Sequence, residues 1–423
     1  MSDPFSSQRD VEVIRRRNVF VRAGESFQSS PDFRYLWLSN LFFAGGNWAV
    51  IVILSWLVFE TTGSEFLLAV FTAVRLCPMW LGPVSGVIAD RYDRVLIVKI
   101  ASVWSFVVVV LLALSVSLGH EPYWLLVSIG LLTGLAQSPS QPARASLILE
   151  MVGRRNIANA NGLNSMAMGL MQGVAPALTG VVLSGFGAAT ALWFASIWYL
   201  AASLMVWQIG AITRSVRQEH EPILRMVMGG LRIIMQSRLT SAVLTVTLVA
   251  NFTLWPVYNS FMPVFAKDVL GLGASGLGWL LLCAGMGSFC GAFCIASLGD
   301  FRYKGALFLF GTTLWGVAWA IFGLSDRVVL SFVLMGLVGI TSATFGVMQT
   351  TLMLMTSPPE VQGRALGIQE LAIGAMPIGS LGLGAIAAGI GVGATTFLAG
   401  SVLVVVLLVL AVRVPELVRY TGE

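Results

Sequence analysis

The chain has 423 residues, of which 57% are hydrophobic and 11% are charged, and its mean hydropathy is +0.85. Soluble domains are about 25% charged, so this composition excludes a soluble enzyme, a nucleic-acid-binding protein and a disordered chain. Because roughly 20 apolar residues cross a bilayer as one helix, the length accommodates about a dozen spans. In a membrane protein, a net charge of +5 primarily indicates how the chain is oriented across the bilayer, because Lys and Arg concentrate on the cytoplasmic side.

The predicted elements begin with residues 1–33, a polar, arginine-rich cytoplasmic segment that is too short to form a domain. Residues 34–209 then predict a first six-helix bundle, because runs this apolar must satisfy their backbone polar groups internally. Its spans are expected at about 34–59, 66–88, 97–118, 122–143, 157–184 and 187–209.

The long polar stretch 210–239 mixes apolar residues with spaced arginines. It predicts a cytoplasmic linker with a helix lying at the membrane interface, and the alternative is a plain linker. Residues 240–412 predict a second six-helix bundle, and 413–423 a cytoplasmic tail. The second set of spans is expected at about 240–265, 275–298, 305–323, 328–354, 365–390 and 393–412.

The distribution of basic residues predicts the orientation. With both termini cytoplasmic, 22 of the 25 Lys and Arg residues fall on the cytoplasmic side, counting span ends. Lys267 and Arg327 face outside, and Arg75 lies within a span. The excess of positive charge inside favours a multi-pass protein of the cell membrane with an even number of spans.

The two predicted bundles repeat each other. Asn40 recurs as Asn251 at an offset of 211 residues, and Asp90 recurs as Asp300 at 210. An offset of six spans gives both copies the same orientation, which is the parallel repeat of one transporter class. Such repeats place a site between the halves near the midplane and expose it to each side in turn.

The loop after the second span carries a family resemblance. It contains Gly86, Asp90, Arg91 and Arg94, and it resembles the signature loop of the major facilitator superfamily. A degenerate copy follows the eighth span and contains Asp300, Arg302 and Lys304. The loops 149–156 and 358–364 are most similar to the branch that includes the enterobactin exporter and macrolide-type efflux proteins.

This resemblance implies an all-α membrane protein with twelve transmembrane helices in two pseudo-symmetric six-helix bundles. It implies a secondary active transporter, proton-coupled and directed to efflux, in which Asp90 meets the N-terminus of span eleven in one conformation. The alternative for this loop is a positive cluster that only sets topology. The antiporter motif of span five is partial, because Ala175 precedes Pro176.

Few ionisable groups lie deep in the predicted spans, and two are candidates for coupling. Arg75 is expected about 22 Å along the helix from Asp90, and Glu370 about 9 Å into span eleven from Arg364. Charges at such depth are usually functional or paired. Glu370 is therefore either a proton-coupling group or a paired structural group near the cytoplasmic mouth, and Arg75 either has a substrate or coupling role or is a snorkelling or pairing arginine. Residues 122–140 contain no arginine, so the family's span-four arginine motif is absent there.

Amides and aromatic residues within the spans are the candidates for a substrate cavity, because buried amides are expected to face a cavity or a partner helix. As a set they suit a large amphiphilic ligand better than a sugar or an anion. They are Asn40, Asn47, Gln137, Gln141, Asn251, Trp255, Tyr258, Asn259 and Gln349.

An embedded enzyme is the competing class. His120 and His220 are predicted on opposite sides of the membrane, and the four cysteines lie in apolar stretches without metal-ligand spacing. We therefore expect no catalytic residue, no metal and no cofactor.

The expected partners are a small-molecule substrate, protons and the lipid bilayer, with no nucleic acid, and the protein is expected to act as a monomer. Uptake, lipid or lysolipid flipping, and a transport-dead sensor are the alternatives to efflux.

Overall fold

A computed structural model describes residues 30–210, 237–297, 302–357 and 362–421. Within these ranges the side chains of residues 83, 86, 87, 89, 90, 154–159, 296, 297, 363 and 364 are not described. The predicted segment up to residue 29, the predicted interfacial helix within 211–236 and the gating candidate Asp300 lie outside the described residues. The described part of the chain is almost entirely helical, as the lack of polar partners in lipid requires.

The first helices of the chain are joined by short, capped turns. Helix α1 is Pro31–Thr62, and the Ser30 hydroxyl accepts from the Phe33 amide at 3.4 Å to cap it. Helix α2 covers residues 65–91, with a 3-10 turn, Cys77–Leu81, between the helical parts Glu65–Leu76 and Gly82–Arg91. Helix α3 is Arg94–Ser117.

A single helical stretch, Tyr123–Trp207, completes the first half, and two glycines divide it. Gly153 and Gly187 have φ of 70° and 82°, which glycine adopts at no steric cost, so the chain turns sharply there. The parts are α4 (123–152), α5 (154–186) and α6 (188–207).

The second half has the same pattern of helices. The helices are α7 (Arg238–Val269), α8 (Ala274–Ser297), α9 (Lys304–Gly323), α10 (Val328–Met355), α11 (Gln362–Ile373 and, after a turn at residues 374 and 375, 376–390), α12 (392–413) and the short α13 (Pro415–Arg419). Gly391, with φ of 80°, separates α11 from α12.

Eight helices in the described residues are long and apolar enough to cross a membrane. Two of them, Ala160–Trp207 and Ala365–Arg413, have 48 and 49 residues, and Gly187 and Gly391 divide them. At 1.5 Å per residue each is more than twice as long as a bilayer core of about 30 Å, so each accounts for two crossings. The full count of twelve spans stays a prediction, because α2 and α4 are not among the eight.

One cluster of buried side chains, with the partly buried Ile88 of α2 packed against it, defines a common end of the first six helices. It joins Phe33 at the start of α1, Val98 at the start of α3, Leu147 near the end of α4, Ala160 near the start of α5 and Val206 at the end of α6. We call this the proximal side and the opposite one the distal side. The helices therefore run alternately up and down, as short connections between packed helices require.

The two halves pack against each other toward the distal side. Helices α5 and α8 approach through glycines, because a Cβ on Gly285 would lie 2.5 Å from the Gly173 Cα and one on Gly278 2.6 Å from the Pro176 oxygen. Helices α2 and α11 meet where the Ser380 hydroxyl donates to the Ala69 oxygen at 3.0 Å. Small residues allow the backbones to come this close.

The same helix faces separate toward the proximal side. On α5, the face of Gly173 continues through Gly169 and Gly162, which would meet nothing within 4 Å even with a Cβ. On α8, the face of Gly285 continues to Phe293, which is 68% exposed. The halves thus close the distal side and leave the proximal side open between α5 and α8.

Candidate functional site

A cavity of about 110 Å³ lies in the proximal part of the first half. Helices α1, α4 and α5 supply all of its lining side chains, among them Phe43, Trp48 and Arg144. Its walls are rich in amides, namely Asn40, Asn47, Gln137, Gln141, Asn161 and Asn164. Four of these amides, Asn40, Asn47, Gln137 and Gln141, are candidates from the sequence, and the structure brings them together.

Helical spacing explains why these side chains face one space. Asn40, Ala44 and Asn47 recur at three- and four-residue intervals on α1 and therefore share one face. Gln137, Gln141 and Arg144 do the same on α4. Asn161, Asn164 and Met168 follow the same rule on α5. Each helix thus contributes one polar stripe, and packing turns the three stripes toward each other.

Asn40 is the centre of the hydrogen bonds between these stripes. Its amide nitrogen donates to the Asn164 oxygen at 2.8 Å, and its own oxygen accepts from the Arg144 guanidinium. A single amide therefore joins α1 to both α4 and α5. Such interhelical bonds hold polar side chains in place inside a membrane bundle.

Arg144 is the functional candidate that the sequence analysis missed. The predicted fourth span ends at 143, but α4 continues to residue 152, so Arg144 lies about 12 Å inside the helix end. It is 6% exposed, and its guanidinium lies 4.5 Å from the centre of the Phe43 ring. The signal that would have found it is its helical register with Gln137 and Gln141.

Every partner of the Arg144 guanidinium is neutral. It donates from Nε to Ser140 at 2.9 Å, from Nη2 to Ser102 at 3.1 Å and from Nη1 to Ser39 at 3.2 Å. None of the described residues offers it a carboxylate. The cavity therefore contains a fixed positive charge that hydroxyl and amide dipoles solvate but do not neutralise.

The second-half candidates lie outside this cavity. The Asn251 amide donates to its own helix, at the Thr247 oxygen, and Asn251 is 2% exposed. Trp255 and Tyr258 pack edge to face with each other and belong to an aromatic cluster with Trp315. Gln349 does not line the cavity either, and its buried oxygen has no hydrogen-bond partner among the described residues.

Arg75 and Asn259 join the two halves. The Arg75 Nη2 donates to the Asn259 oxygen at 3.2 Å, which connects α2 to α7. Arg75 is 7% exposed and lies just before the 3-10 turn of α2. Beside this contact, Trp48 of α1 meets Tyr258 of α7 edge to face at 6.1 Å. Arg75 is therefore a buried interface residue in this conformation.

Glu370, the other coupling candidate, lies on α11 with an exposed side chain. The neighbouring Gln369 is buried and donates to the Thr350 hydroxyl at 2.9 Å, so it faces α10. Because adjacent residues on a helix point in directions about 100° apart, Glu370 is turned away from that contact.

The loop between α2 and α3 connects to α4. Asp93 caps α3 by accepting from the Val95 amide at 2.8 Å, and Arg94 forms an ion pair with Glu150 near the end of α4. Arg91 is exposed. The Asp90 side chain lies outside the described part of the structure, as does any Cβ environment of Gly86.

In the second copy of this loop, the Arg302 guanidinium lies 5.6 Å from the centre of the Tyr303 ring. The Lys304 ammonium donates to the Thr421 oxygen at 3.1 Å, which ties α9 to the end of the chain. The described residues contain no group of three or more His, Cys, Asp or Glu side chains arranged to hold a metal ion.

Comparison with known sequences gives a match over nearly the whole chain. The sequence profile of the family described as "Transmembrane secretion effector" matches residues 27–420. The multidrug efflux pump Tap of Mycolicibacterium fortuitum is 25% identical over 88% of this chain and 93% of its own. The staphyloferrin A transporter of Staphylococcus aureus is 22% identical over 82% and 87%. The enterobactin exporter EntS of Escherichia coli (strain HS) is 25% identical over 71% and 72%.

Solved structures share the fold at low sequence identity. A single-residue mutant of a peptide transporter POT in complex with sulfate has a TM-score of 0.75 at 12% identity, covering 93% of this chain and 96% of its own. A bacterial homologue of the human lysosomal transporter Spinster, in an inward-facing and unoccupied conformation, has a TM-score of 0.64 at 16% identity, covering 92% and 98%. At these identities the likeness establishes the fold alone.

Proposed function

We propose a cargo and a direction for this chain, which belongs to the transmembrane secretion effector family of the major facilitator superfamily and is a membrane transporter. It exports an amphiphilic small molecule, such as a drug-like compound or a siderophore, by alternating access. Protons moving inward drive the export, and a single chain carries it out.

The observation that carries this proposal is the one-sided contact between the halves. A glycine-lined contact closes the distal side, whereas the polar cavity lies in the proximal part of the first half. A second conformation that opens the contact at Gly173 and Gly285 and closes the proximal side would present the cavity to the other side. Two such states are what alternating access requires.

The basic residues support an orientation. The proximal side contains the start of α1 and the end of α12, and 22 of the 25 Lys and Arg residues belong to that side by the sequence count. Arg144 is one of the 22, and without it the excess remains large. We therefore assign the proximal side to the cytoplasm, with both termini there. The cavity then opens toward the compartment from which an exporter takes its cargo.

The relatives support efflux of an amphiphile. The names of the three most informative ones refer to multidrug efflux, to staphyloferrin A transport and to enterobactin export. A cavity that combines amides with Phe43 and Trp48 offers both hydrogen bonds and apolar contact. For coupling, Glu370 and Arg75 are the candidates, and Asp90 is the candidate for gating.

Flux into inverted membrane vesicles tests this proposal. A fluorescent amphiphile with a permanent negative charge, 8-anilinonaphthalene-1-sulfonate, should accumulate in vesicles that contain the protein when their lumen is acidic. Collapse of the gradient with a protonophore should abolish the accumulation. Vesicles without the protein, and vesicles with a Gly285→Leu variant that cannot close the distal contact, are the controls.

The alternatives give different results in the same assay. Accumulation only in right-side-out vesicles would indicate uptake. Movement of a labelled lysolipid between leaflets without dye accumulation would indicate a flippase. If the folded protein transports none of these compounds, the transport-dead sensor is the remaining alternative.

A further inference from the structure

We propose that Arg144 and the amides around it form a subsite for the anionic oxygen group of the transported molecule. The inference rests on the proposed export function and makes it more specific, because it gives the amphiphile an acidic end. Carboxylate, phenolate and phosphate oxygens share the chemistry that such a subsite recognises.

The first step is the charge that the fold retains. Burying a guanidinium among apolar helices is costly. Replacing a buried charge with well-packed apolar residues of similar volume often leaves a protein equally stable or more stable. The partners Ser39, Ser102 and Ser140 need only a hydrogen-bond donor, which a neutral side chain also supplies. Packing of α1, α3 and α4 therefore does not require a positively charged side chain at this position.

The second step is the donor that remains. The hydrogen bonds that Arg144 makes to the described residues use every guanidinium N–H except one on Nη2. The contacts to Ser39 and Ser102, at 3.2 and 3.1 Å, are also the longest. An incoming carboxylate can take the remaining N–H on Nη2 and replace the Ser39 hydroxyl on Nη1, which gives the paired geometry that arginine and carboxylate favour.

The third step is the size of the cavity. A volume of about 110 Å³ is well below the roughly 300 Å³ at which pockets begin to enclose a drug-sized ligand. The cavity therefore accepts one end of the molecule, with Asn47, Gln137 and Gln141 beside the acidic group. The remainder extends into the open space between α5 and α8.

Charge-selective modification of a cavity cysteine tests this subsite without requiring transport. Ala145 lines the cavity next to Arg144 and is exposed, so Ala145→Cys adds a small reactive group there. The full-length protein, with its four native cysteines replaced by serine, is placed in lipid nanodiscs. It is treated separately with the anionic reagent 2-sulfonatoethyl methanethiosulfonate and the cationic reagent 2-(trimethylammonio)ethyl methanethiosulfonate. The rate of modification by the anionic reagent is divided by the rate for the cationic one, and this ratio is then divided by the same ratio for free 2-mercaptoethanol.

The anionic reagent should be favoured by roughly tenfold or more, as expected for a unit charge several ångströms away at an effective dielectric constant of about 20. Arg144→Gln should reduce the ratio to that of the free thiol, and Arg144→Lys should retain most of it. A cysteine at Gln349, in the second half, should show no change between these variants. Thermal unfolding of each variant verifies its fold.

Protection of the cysteine identifies the ligand class. Benzoate should slow the modification of Ala145→Cys at least fivefold more than benzamide, which has nearly the same shape without the charge. Arg144→Gln should remove this difference.

If the protein with Arg144 intact gives the same ratio as the free thiol, the subsite is wrong. Equal protection by benzoate and benzamide, or no protection by either compound, also contradicts it. If Arg144→Gln does not fold, Arg144→Lys and the comparison with the Gln349 cysteine still decide the matter. Absence of vesicle flux with a charge-selective, benzoate-protected cavity would contradict the export function and leave the subsite standing.

Discussion

The two halves contain equivalent helices but different chemistry at equivalent positions. In the first half, Asn40 hydrogen-bonds to Asn164 and Arg144 across a cavity. In the second, Asn251 bonds to its own helix and lies near an aromatic cluster. At an offset of 210 residues from Arg144 stands Leu354, and its neighbours Met353 and Met355 are also apolar. A repeat thus preserves the backbone framework while single side chains decide which half forms a polar cavity.

Asp90 and Asp300 are the sharpest test of functional asymmetry between the halves. Asp90→Asn should leave the protein folded and inserted but reduce transport roughly 100-fold, because a gating contact worth a few kcal/mol would be lost. Asp300→Asn, in the degenerate copy of the loop, should reduce it less than about threefold by the same reasoning. Vesicle flux at matched expression measures both, and wild-type flux from Asp90→Asn would remove the gating role.

Arg144→Leu gives the first half the residue type of the second. Export of acidic amphiphiles should become roughly 10- to 150-fold weaker in apparent affinity, since hydrogen bonds to a charged group contribute about 1.5–3 kcal/mol. Neutral amphiphiles should lose much less. Leu354→Met is the matched control at the equivalent position of the second half and should change neither. Equal losses for acidic and neutral compounds would assign Arg144 a packing role only.

Glu370 has no acidic counterpart in the first half, because the residue 210 positions earlier is Ala160. Glu370→Gln should abolish the dependence of flux on the proton gradient and leave ligand binding measurable. The measurement is the ratio of flux with and without the gradient, which should fall from several-fold to one. If the ratio persists, the coupling group is elsewhere, and Asp90 and Arg75 become the candidates.

Asn40 and Asn251 form a matched pair of amides. Asn40→Ala removes bonds to α4 and α5 and should alter the relative affinities of different compounds by about five- to tenfold, the effect of one or two hydrogen bonds. Asn251→Ala should change them less than about twofold, because its amide bonds only within α7. Maximal rates should change little in both. A larger effect of Asn251→Ala on selectivity would place a second-half surface in the substrate path.

The halves also meet at the distal side through like charges. Burial, and then the charge of Asp268 at the end of α7, raise the pKa of Glu65, which precedes the predicted second span, above its usual value near 4.5. The raised pKa means that the distal-closed state binds a proton more tightly than a state in which the halves have separated. We therefore expect closure to be favoured at low pH and to weaken as the pH rises through the raised pKa of Glu65.

Labelling of a Leu272→Cys variant from the distal side measures this effect. Its rate should increase about twofold with pH relative to the same cysteine in a Glu65→Gln background, because partly exposed charges interact weakly. The comparison with Glu65→Gln cancels the ionisation of the thiol itself. Identical pH profiles in the two backgrounds would show that this carboxylate pair does not bias the gate.

Much of the fold followed from local properties of the sequence. Long apolar runs identified the helices, because lipid leaves a free backbone no hydrogen-bond partner. The constant offset between Asn40 and Asn251 indicated the repeat, and the signature loop indicated the superfamily. Four cavity residues, Asn40, Asn47, Gln137 and Gln141, were also recognisable, because an amide within an apolar helix requires a polar environment.

Tertiary structure decided which of those polar residues share a space. Asn251 and Asn40 both lie in apolar helices at equivalent positions of the repeat, but the rotation of each helix against its neighbours turns only Asn40 into the cavity. The extent of α4 was hidden because a hydropathy pattern ends a span at a charge, on the assumption that lipid surrounds it. Arg144 is solvated instead by Ser39 and Asn40 of α1 and Ser102 of α3. These partners lie 42 to 105 residues away in sequence, so only the packed structure provides the hydrogen bonds that stabilise a charge at that position.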